Sequence, residues 1–181
     1  KYAETVLFDP LGMDGSTFDY HEDLQPVLAK PYSFLGTEYP NYLFVERAAA
    51  GLYSTAGDLA RLLNEAYFLY SREDYQGKVI SNNSLRIMAK PLTNINNTSD
   101  MGFGYFITSD NDNRLIISHS GRNIGWTCTY ALELQSGRGI VILTNSDCGG
   151  KYIKSVLEYF NRILEWSAYD LLETQKCSIN I

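Results

Sequence analysis

Three consecutive residues, His119, Ser120 and Gly121, could do hydrolytic chemistry, and they lie where a predicted strand ends. A serine nucleophile needs a base, or a partner that lowers its pKa, within hydrogen-bond reach. The chain has no G-x-S-x-G elbow, and no serine stands three residues before a lysine, so the S-x-x-K arrangement is absent. The sequence therefore does not supply a complete nucleophilic site. A histidine beside Ser-Gly also occurs as an ordinary turn or structural residue.

Composition limits the kinds of partner that the chain can have. With 181 residues, 45% of them hydrophobic, it is long enough to bury a core, and we expect a single domain over 1–181. The net charge of -6 and the lack of clustered Lys and Arg argue against nucleic acid. No apolar run reaches the roughly 18 residues that cross a bilayer, so we expect no membrane span.

Cysteine and histidine usage indicates neither a disulfide framework nor a metal centre. Cys128, Cys148 and Cys177 are odd in number and contain no close pair, which favours unpaired, buried thiols. The two histidines, His21 and His119, are too few for a histidine-rich metal site. We expect no required metal and no cofactor.

The elements before about residue 100 are predicted to be helices and loops. Residues 2–8 indicate the end of a helix that stops at Asp9-Pro10, because the residue before proline disfavours the α region. Residues 55–58 resemble a helix cap and precede apolar residues at one-face spacing. A shorter helix is expected from about 81 to 90, before Pro91. The aromatic-rich loop at 31–44 either walls a pocket or packs on the surface.

From about residue 101 the pattern becomes that of strands. Residues 103–108 and 114–118 predict a hairpin around a turn at 110–113, and 126–134 alternate with period two. Residues 140–143 are apolar on both faces, which predicts a central strand. A last helix after Gly149-Gly150 needs a sheet face to bury its stripe, so the fold is expected to be α+β, with a second sheet face and an edge left uncovered. That stripe consists of Ile153, Val156, Leu157, Phe160 and Leu164.

Five landmarks, taken in order, resemble the serine β-lactamase-like family. They are FDPLGM at 8–13, AGLYSTAGDLAR at 50–61, GFGY at 102–105, HSG at 119–121 and VILTN at 141–145. The chain is most similar to the class C-related branch, with its esterases, D-stereospecific peptidases and penicillin-binding-protein-like hydrolases. The resemblance covers residues 2–165. It implies an incomplete β-lactamase/transpeptidase-like fold, with a helix-loop part over 1–100 and a sheet plus C-terminal helix over 101–181.

The resemblance also implies roles for the H-S-G residues. The family's nucleophile, its lysine and its tyrosine base lie before the part that this chain matches, so the chain alone is expected to be inactive. His119 would donate a hydrogen bond toward the base or the substrate carboxylate, and Ser120 would offer a hydroxyl. Gly121 would leave room for substrate along the strand, and the Arg122 N–H would join the oxyanion hole. An ester or D-amino-acid peptide is favoured over a β-lactam, because histidine replaces the usual lysine.

Several alternatives stay open at this point. Tyr105, Trp126 and Tyr53 could line an acyl pocket or pack in the core. A non-catalytic binding or scaffold module could use the same fold. The uncovered sheet leaves room for self-association. The resemblance favours a periplasmic or extracellular location, and a cytoplasmic one also stays open.

Overall fold

The computed structural model describes residues 1–96, 99–109 and 113–164, without the side chain of Leu164. Its centre is a six-stranded antiparallel sheet in the order β1-β2-β3-β4-β5-β6, so the expected α+β class is confirmed. The strands are β1 (Thr93–Asn96), β2 (Ser99–Met101), β3 (Phe106–Ser109), β4 (Leu115–Asn123), β5 (Trp126–Glu133) and β6 (Gly139–Thr144). The helices are α1 (Asp9–Leu11), α2 (Arg47–Ala50), α3 (Ala56–Ser71), α4 (Asn82–Met88) and α5 (Gly149–Leu164).

Side-chain caps fix the starts of the two helices that the sequence predicted most directly. The Thr55 hydroxyl accepts a hydrogen bond from the Asp58 N–H at the start of α3, and the Ser81 hydroxyl accepts one from the Ser84 N–H at the start of α4. Each cap satisfies a backbone donor that the first helical turn leaves without a partner. Both predicted helices are therefore confirmed, with ends close to those expected.

The predicted stop at Asp9-Pro10 is wrong. A π-helical turn, Glu4–Phe8, runs directly into α1, and the chain leaves the helix only at Gly12, whose φ is 67°. Pro10 lies at the junction of the two helical segments; it has no N–H to donate to the preceding turn, but its fixed φ is compatible with a helix. Gly12 ends the helix because glycine adopts the left-handed conformation without steric cost.

The sheet face that was expected to lack a partner is covered by this chain's own helices. The largest buried cluster joins α3 and α4 to one face of the sheet. The expectation of an uncovered face is thus corrected, and self-association stays a prediction. The cluster contains Leu63, Ala66, Leu69, Leu85, Ala89, Tyr105, Ile107, Ile117, Leu132 and Leu134.

Helix α5 packs on the opposite face. It buries Ile153 and Leu157 completely or nearly so, whereas Phe160 is 37% exposed and Val156 is half-buried. The buried stripe is therefore narrower than predicted, and the side chain of Leu164 lies outside the described residues. Strand β6, predicted to be central, is an edge strand. Its two apolar faces are explained by contacts with α3 and by the start of α5, where Gly149 lies against Thr144.

The other differences concern strand lengths and cysteines. Strand β4 does not end around residues 118–121 but continues to Asn123, and β1 and β2 were not predicted. Most of the predicted turn at 110–113 lies outside the described residues.

Cys128 is a free thiol, but Cys148 is disulfide-bonded, so the expectation of unpaired thiols is wrong there. Sequence spacing misses such a bond because the fold can bring distant cysteines together. Cys177 lies outside the described residues.

A buried carboxylate connects the start of α3 to the loop that follows α1. Asp58 is 3% exposed, and its Oδ2 accepts hydrogen bonds from the Gly15 N–H at 2.9 Å and the Ser16 hydroxyl at 2.8 Å. Arg61 donates to the other oxygen at 2.8 Å. A buried charge is tolerated when it is paired and hydrogen-bonded in this way.

Within the described ranges, no helix has the length and apolar character needed to span a bilayer.

Packing of α4 against the sheet gives a stability prediction with a control on the same helix. Leu85 is 0% exposed within the buried cluster, whereas Ile87, two residues later, is 50% exposed. Leu85→Ala should lower the free energy of unfolding by about 2–5 kcal/mol, because it leaves a cavity. Ile87→Ala should cost less than about 1 kcal/mol. Urea unfolding followed by circular dichroism measures both, and equal losses would contradict the described packing.

Candidate functional site

The H-S-G residues lie on a part of β4 that extends beyond its neighbour β3. Strand β3 pairs with β4 only as far as Phe106 and Ser118, whereas β5 pairs with β4 up to Asn123 and Trp126. We call residues 119–123 the β4 extension. It is held from one side by β5, and no other described strand pairs with it.

The direction of the main-chain groups along the extension follows from one hydrogen bond. The Leu134 N–H donates to the Leu115 carbonyl oxygen at 2.9 Å, so Leu115 turns its main-chain groups toward the β5 side. Successive residues of a strand turn these groups to alternate sides. His119 and Gly121 therefore direct theirs toward β5. Ser120 and Arg122 direct theirs toward the opposite side, on which β3 pairs with the earlier part of β4.

The side chains of the extension are accessible. His119 and Arg122 are exposed, and Ser120 and Gly121 are half-buried. Directly opposite His119 in the sheet is Tyr130. The His119 imidazole also stacks on two aromatic rings, with centroid distances of 5.4 Å to Phe106 and 6.3 Å to Tyr130. The histidine is therefore at the surface and held by rings from both neighbouring strands.

At Gly121, an added side chain would lie close to a neighbour on β5. An added Cβ would lie 3.1 Å from the Sγ of Cys128, its partner on β5. Burial raises the pKa of the Cys128 thiol, and a hydrogen bond with the Gly121 backbone partly opposes this rise. The thiol is thus protonated near neutral pH, so an uncharged side chain lies opposite Gly121.

The three candidate pocket residues differ in where they lie. Trp126 is half-buried at the first position of β5, opposite Asn123, so it lies at the end of the extension. Tyr105 is 9% exposed and belongs to the core cluster, which agrees with the packing alternative. Tyr53 forms a backbone bridge with Thr17 and contacts Tyr20 with a centroid distance of 6.0 Å. Of the three, Trp126 lies beside the extension, Tyr105 lies in the core, and Tyr53 pairs with Thr17.

A carboxylate that the sequence did not single out holds the turn after the extension. Asp147 accepts hydrogen bonds from the Gly125 N–H at 2.8 Å and from the Tyr39 hydroxyl at 3.1 Å. Gly125 has φ 77°, and a Cβ there would overlap Pro31. The loop at 31–44 is thereby attached to the β4–β5 turn. In the sequence, the loop at 31–44 was marked only by its high content of aromatic residues.

A second contact fixes the end of the extension from another loop. The Asn123 side-chain amide donates to the carbonyl oxygen of Ala50 at 2.9 Å. Ala50 is the first residue of the AGLYSTAGDLAR landmark, so this landmark contacts the end of the extension that carries HSG. No group of three or more His, Cys, Asp or Glu side chains suited to a metal ion occurs within residues 1–96, 99–109 and 113–164.

The beta-lactamase family matches residues 1–154 of the chain. Among curated proteins, the chain is 25% identical to penicillin-binding protein 4* of Bacillus subtilis (strain 168), over 95% of this chain and 40% of that protein.

Solved structures show the same fold. The octameric penicillin-binding protein homologue from Pyrococcus abyssi superposes with a TM-score of 0.73 and 20% identity, over 91% of this chain and 37% of that one. A beta-lactamase/D-alanine carboxypeptidase from Pseudomonas syringae gives a TM-score of 0.71 and 17% identity, over 91% of this chain and 52% of that one. The chain thus spans about two-fifths to one-half of the length of these relatives.

Tyr130, opposite His119 on β5, should make the stability of the fold depend on pH. Burial raises the pKa of the Tyr130 phenol, with smaller contributions from Tyr105 and Cys128. An unfolded chain releases this proton near pH 10, so the stability that the neutral phenol contributes is complete below pH 10 and is lost above it. Between pH 8 and 10.5, wild type should lose about 1 kcal/mol more of its free energy of unfolding than Tyr130→Phe does. Urea unfolding at both pH values measures this difference, and equal losses would contradict the burial of the phenol.

Proposed function

Because this chain belongs to the beta-lactamase family, we propose that it forms the strand-bearing part of a serine hydrolase that works through an acyl-enzyme. The observation that carries the proposal is the β4 extension. Within four residues it combines an exposed imidazole, a hydroxyl, a glycine and an Arg122 amide directed away from β5. The nucleophile would come from residues outside these 181, since no S-x-x-K occurs among them.

The Arg122 main chain is proposed to stabilise charge during acylation. As the nucleophile's oxygen bonds to the substrate carbonyl carbon, its proton passes to the base and the carbonyl π electron pair moves onto the carbonyl oxygen. When that pair returns, the bond to the leaving group breaks, and the leaving group takes up the proton from the base. The Arg122 N–H would donate to that oxyanion together with the N–H of the nucleophile. Loss of one such donor typically costs ~3 kcal/mol of transition-state stabilisation. The direction of the main chain in the extension supports this role.

The H-S-G side chains would orient the substrate and the base. A ring N–H of the His119 imidazole would donate a hydrogen bond to the base or to the substrate carboxylate. The half-buried Ser120 would offer its hydroxyl to the substrate. Gly121 would let the substrate approach the backbone as an added strand does, because it has no side chain on the crowded face above Cys128.

The proposed substrate is an ester, a D-amino-acid amide or a β-lactam. The name of the Pseudomonas syringae relative, beta-lactamase/D-alanine carboxypeptidase, supports the last two classes. Esters and peptides are favoured, because histidine at position 119 replaces the lysine whose ammonium would attract a β-lactam carboxylate.

The alternative proposal is a non-catalytic binding module on the same fold. It is favoured by one observation, the absence of an S-x-x-K sequence among the 181 residues. The longer sequence of the natural protein separates the two proposals: an S-x-x-K helix and a tyrosine base support the hydrolase, and their absence supports the binding module.

Labelling with a fluorophosphonate or a fluorescent penicillin tests the hydrolase proposal. The 181-residue chain should not react, because it lacks the nucleophile. A longer chain that carries the S-x-x-K helix should be labelled at that serine, and its Ser→Ala variant should not. Covalent labelling of the 181-residue chain itself would overturn the assignment.

Gly121 can be tested in the same longer chain. Gly121→Val should slow acylation at least about tenfold, corresponding to about 1.4 kcal/mol of barrier, because its side chain meets Cys128 and narrows the approach to the backbone. Gly150→Ala is the matched control, since a Cβ there meets nothing within 4 Å. Acylation rates come from stopped-flow fluorescence, and circular dichroism verifies folding. Normal acylation by a folded Gly121→Val protein would remove Gly121 from the site.

A further inference from the structure

We infer that Phe106 and Tyr130 are positioning residues that hold the His119 imidazole in one orientation on the β4 extension. No role was assigned to either residue by the sequence or by the comparisons. The inference deepens the proposed function, on which its catalytic meaning rests. The geometry of the aromatic contacts can be tested independently of any activity.

The two rings come from the strands on either side of β4. Phe106 is the first residue of β3, and Tyr130 lies on β5 directly opposite His119. The planes of the two rings are inclined to the imidazole by 28° and 27°, with centroid distances of 5.4 Å and 6.3 Å. These distances lie within the range of favourable aromatic pairs, and both geometries are stacked rather than edge-on.

The position of His119 explains why such contacts matter. The side chain is exposed at the point where β3 stops, so β3 offers no residue directly opposite it. An exposed side chain without such packing would populate several rotamers, and ordering them on binding would cost entropy. Stacking from both neighbouring strands reduces this freedom before the substrate arrives. It also fixes the plane in which the two ring nitrogens lie.

One of the two rings is itself firmly anchored. Tyr130 packs against the core cluster that joins α3 and α4 to the sheet, and its phenol lies near Tyr105 and Cys128. Phe106 is half-buried at the start of β3. The imidazole therefore contacts one ring that packs against the core and one ring at the start of a neighbouring strand. A site gains precision when its reactive groups are supported by such packed neighbours.

Nuclear magnetic resonance on the 181-residue chain tests the inference, and the chain suits it because it has only two histidines, His21 and His119. In wild type, the carbon-bound imidazole protons of His119 should be shifted upfield relative to those of His21 by the stacked rings. Each single variant Phe106→Leu and Tyr130→Leu should remove a large part of that shift. The conservative variants Phe106→Tyr and Tyr130→Phe should retain it, which separates loss of the ring from general loss of folding.

A control removes an aromatic ring elsewhere. Tyr159→Leu, on α5 and 52% exposed, should leave the His119 signals unchanged. If the His119 signals of wild type match those of His21, or if both leucine variants keep the wild-type shift while folded, the inference is overturned. In a longer chain that acylates, Phe106→Leu should lower kcat more than it changes KM, and Phe106→Tyr should restore kcat. Absence of acylation in every variant would count against the proposed function, whereas the NMR result would still decide the aromatic contacts.

Discussion

The register between β4 and β5 is the interaction on which the site depends. The two strands pair over eight residues of β4, from Ile116 with Glu133 to Asn123 with Trp126, whereas β3 follows β4 only to Ser118. A slip of one residue would exchange the two faces of β4 and reverse the sides to which its main-chain groups point. The same register therefore sets the exposure of His119, the place of Gly121 above Cys128 and the direction of the Arg122 amide.

The surroundings hold this extension from several parts of the chain. Asp147 connects the β4–β5 turn to the loop at 31–44, and Asn123 bonds to the backbone of Ala50. Below the strand, α3 and α4 fill the core against Tyr105 and Tyr130. Asp58 links the start of α3 to the loop after α1. Segments that are far apart in sequence thus contact one another around the end of the extension and at the start of α3.

Much of the fold could be predicted because local patterns determine it. A cap and one-face spacing located α3, the stop at Pro91 located α4, and period-two alternation located β5. The prediction of a central β6 was wrong because an edge strand with helices on both faces has the same apolar pattern as a central one. The length of β4 was underestimated because Ser-His-Ser-Gly contains turn-forming residues, and pairing with β5 overrides their preference. The side-chain roles of Asp58 and Asp147 depend on distant partners, which no local pattern contains. The site residues at 119–122 came from the family resemblance, and their functions remain proposals.

The central claim is that the β4 extension directs the Arg122 amide to the carbonyl oxygen of an acylating substrate. Amide ¹H–¹⁵N spectra of a longer, nucleophile-bearing chain, recorded before and after it forms a covalent phosphonate adduct, test this claim most directly. The account predicts that the Arg122 amide signal shifts strongly downfield as it bonds to the phosphonyl oxygen, while those of Ile116 and Ile117 stay in place. An adduct that leaves the Arg122 signal unchanged would contradict it.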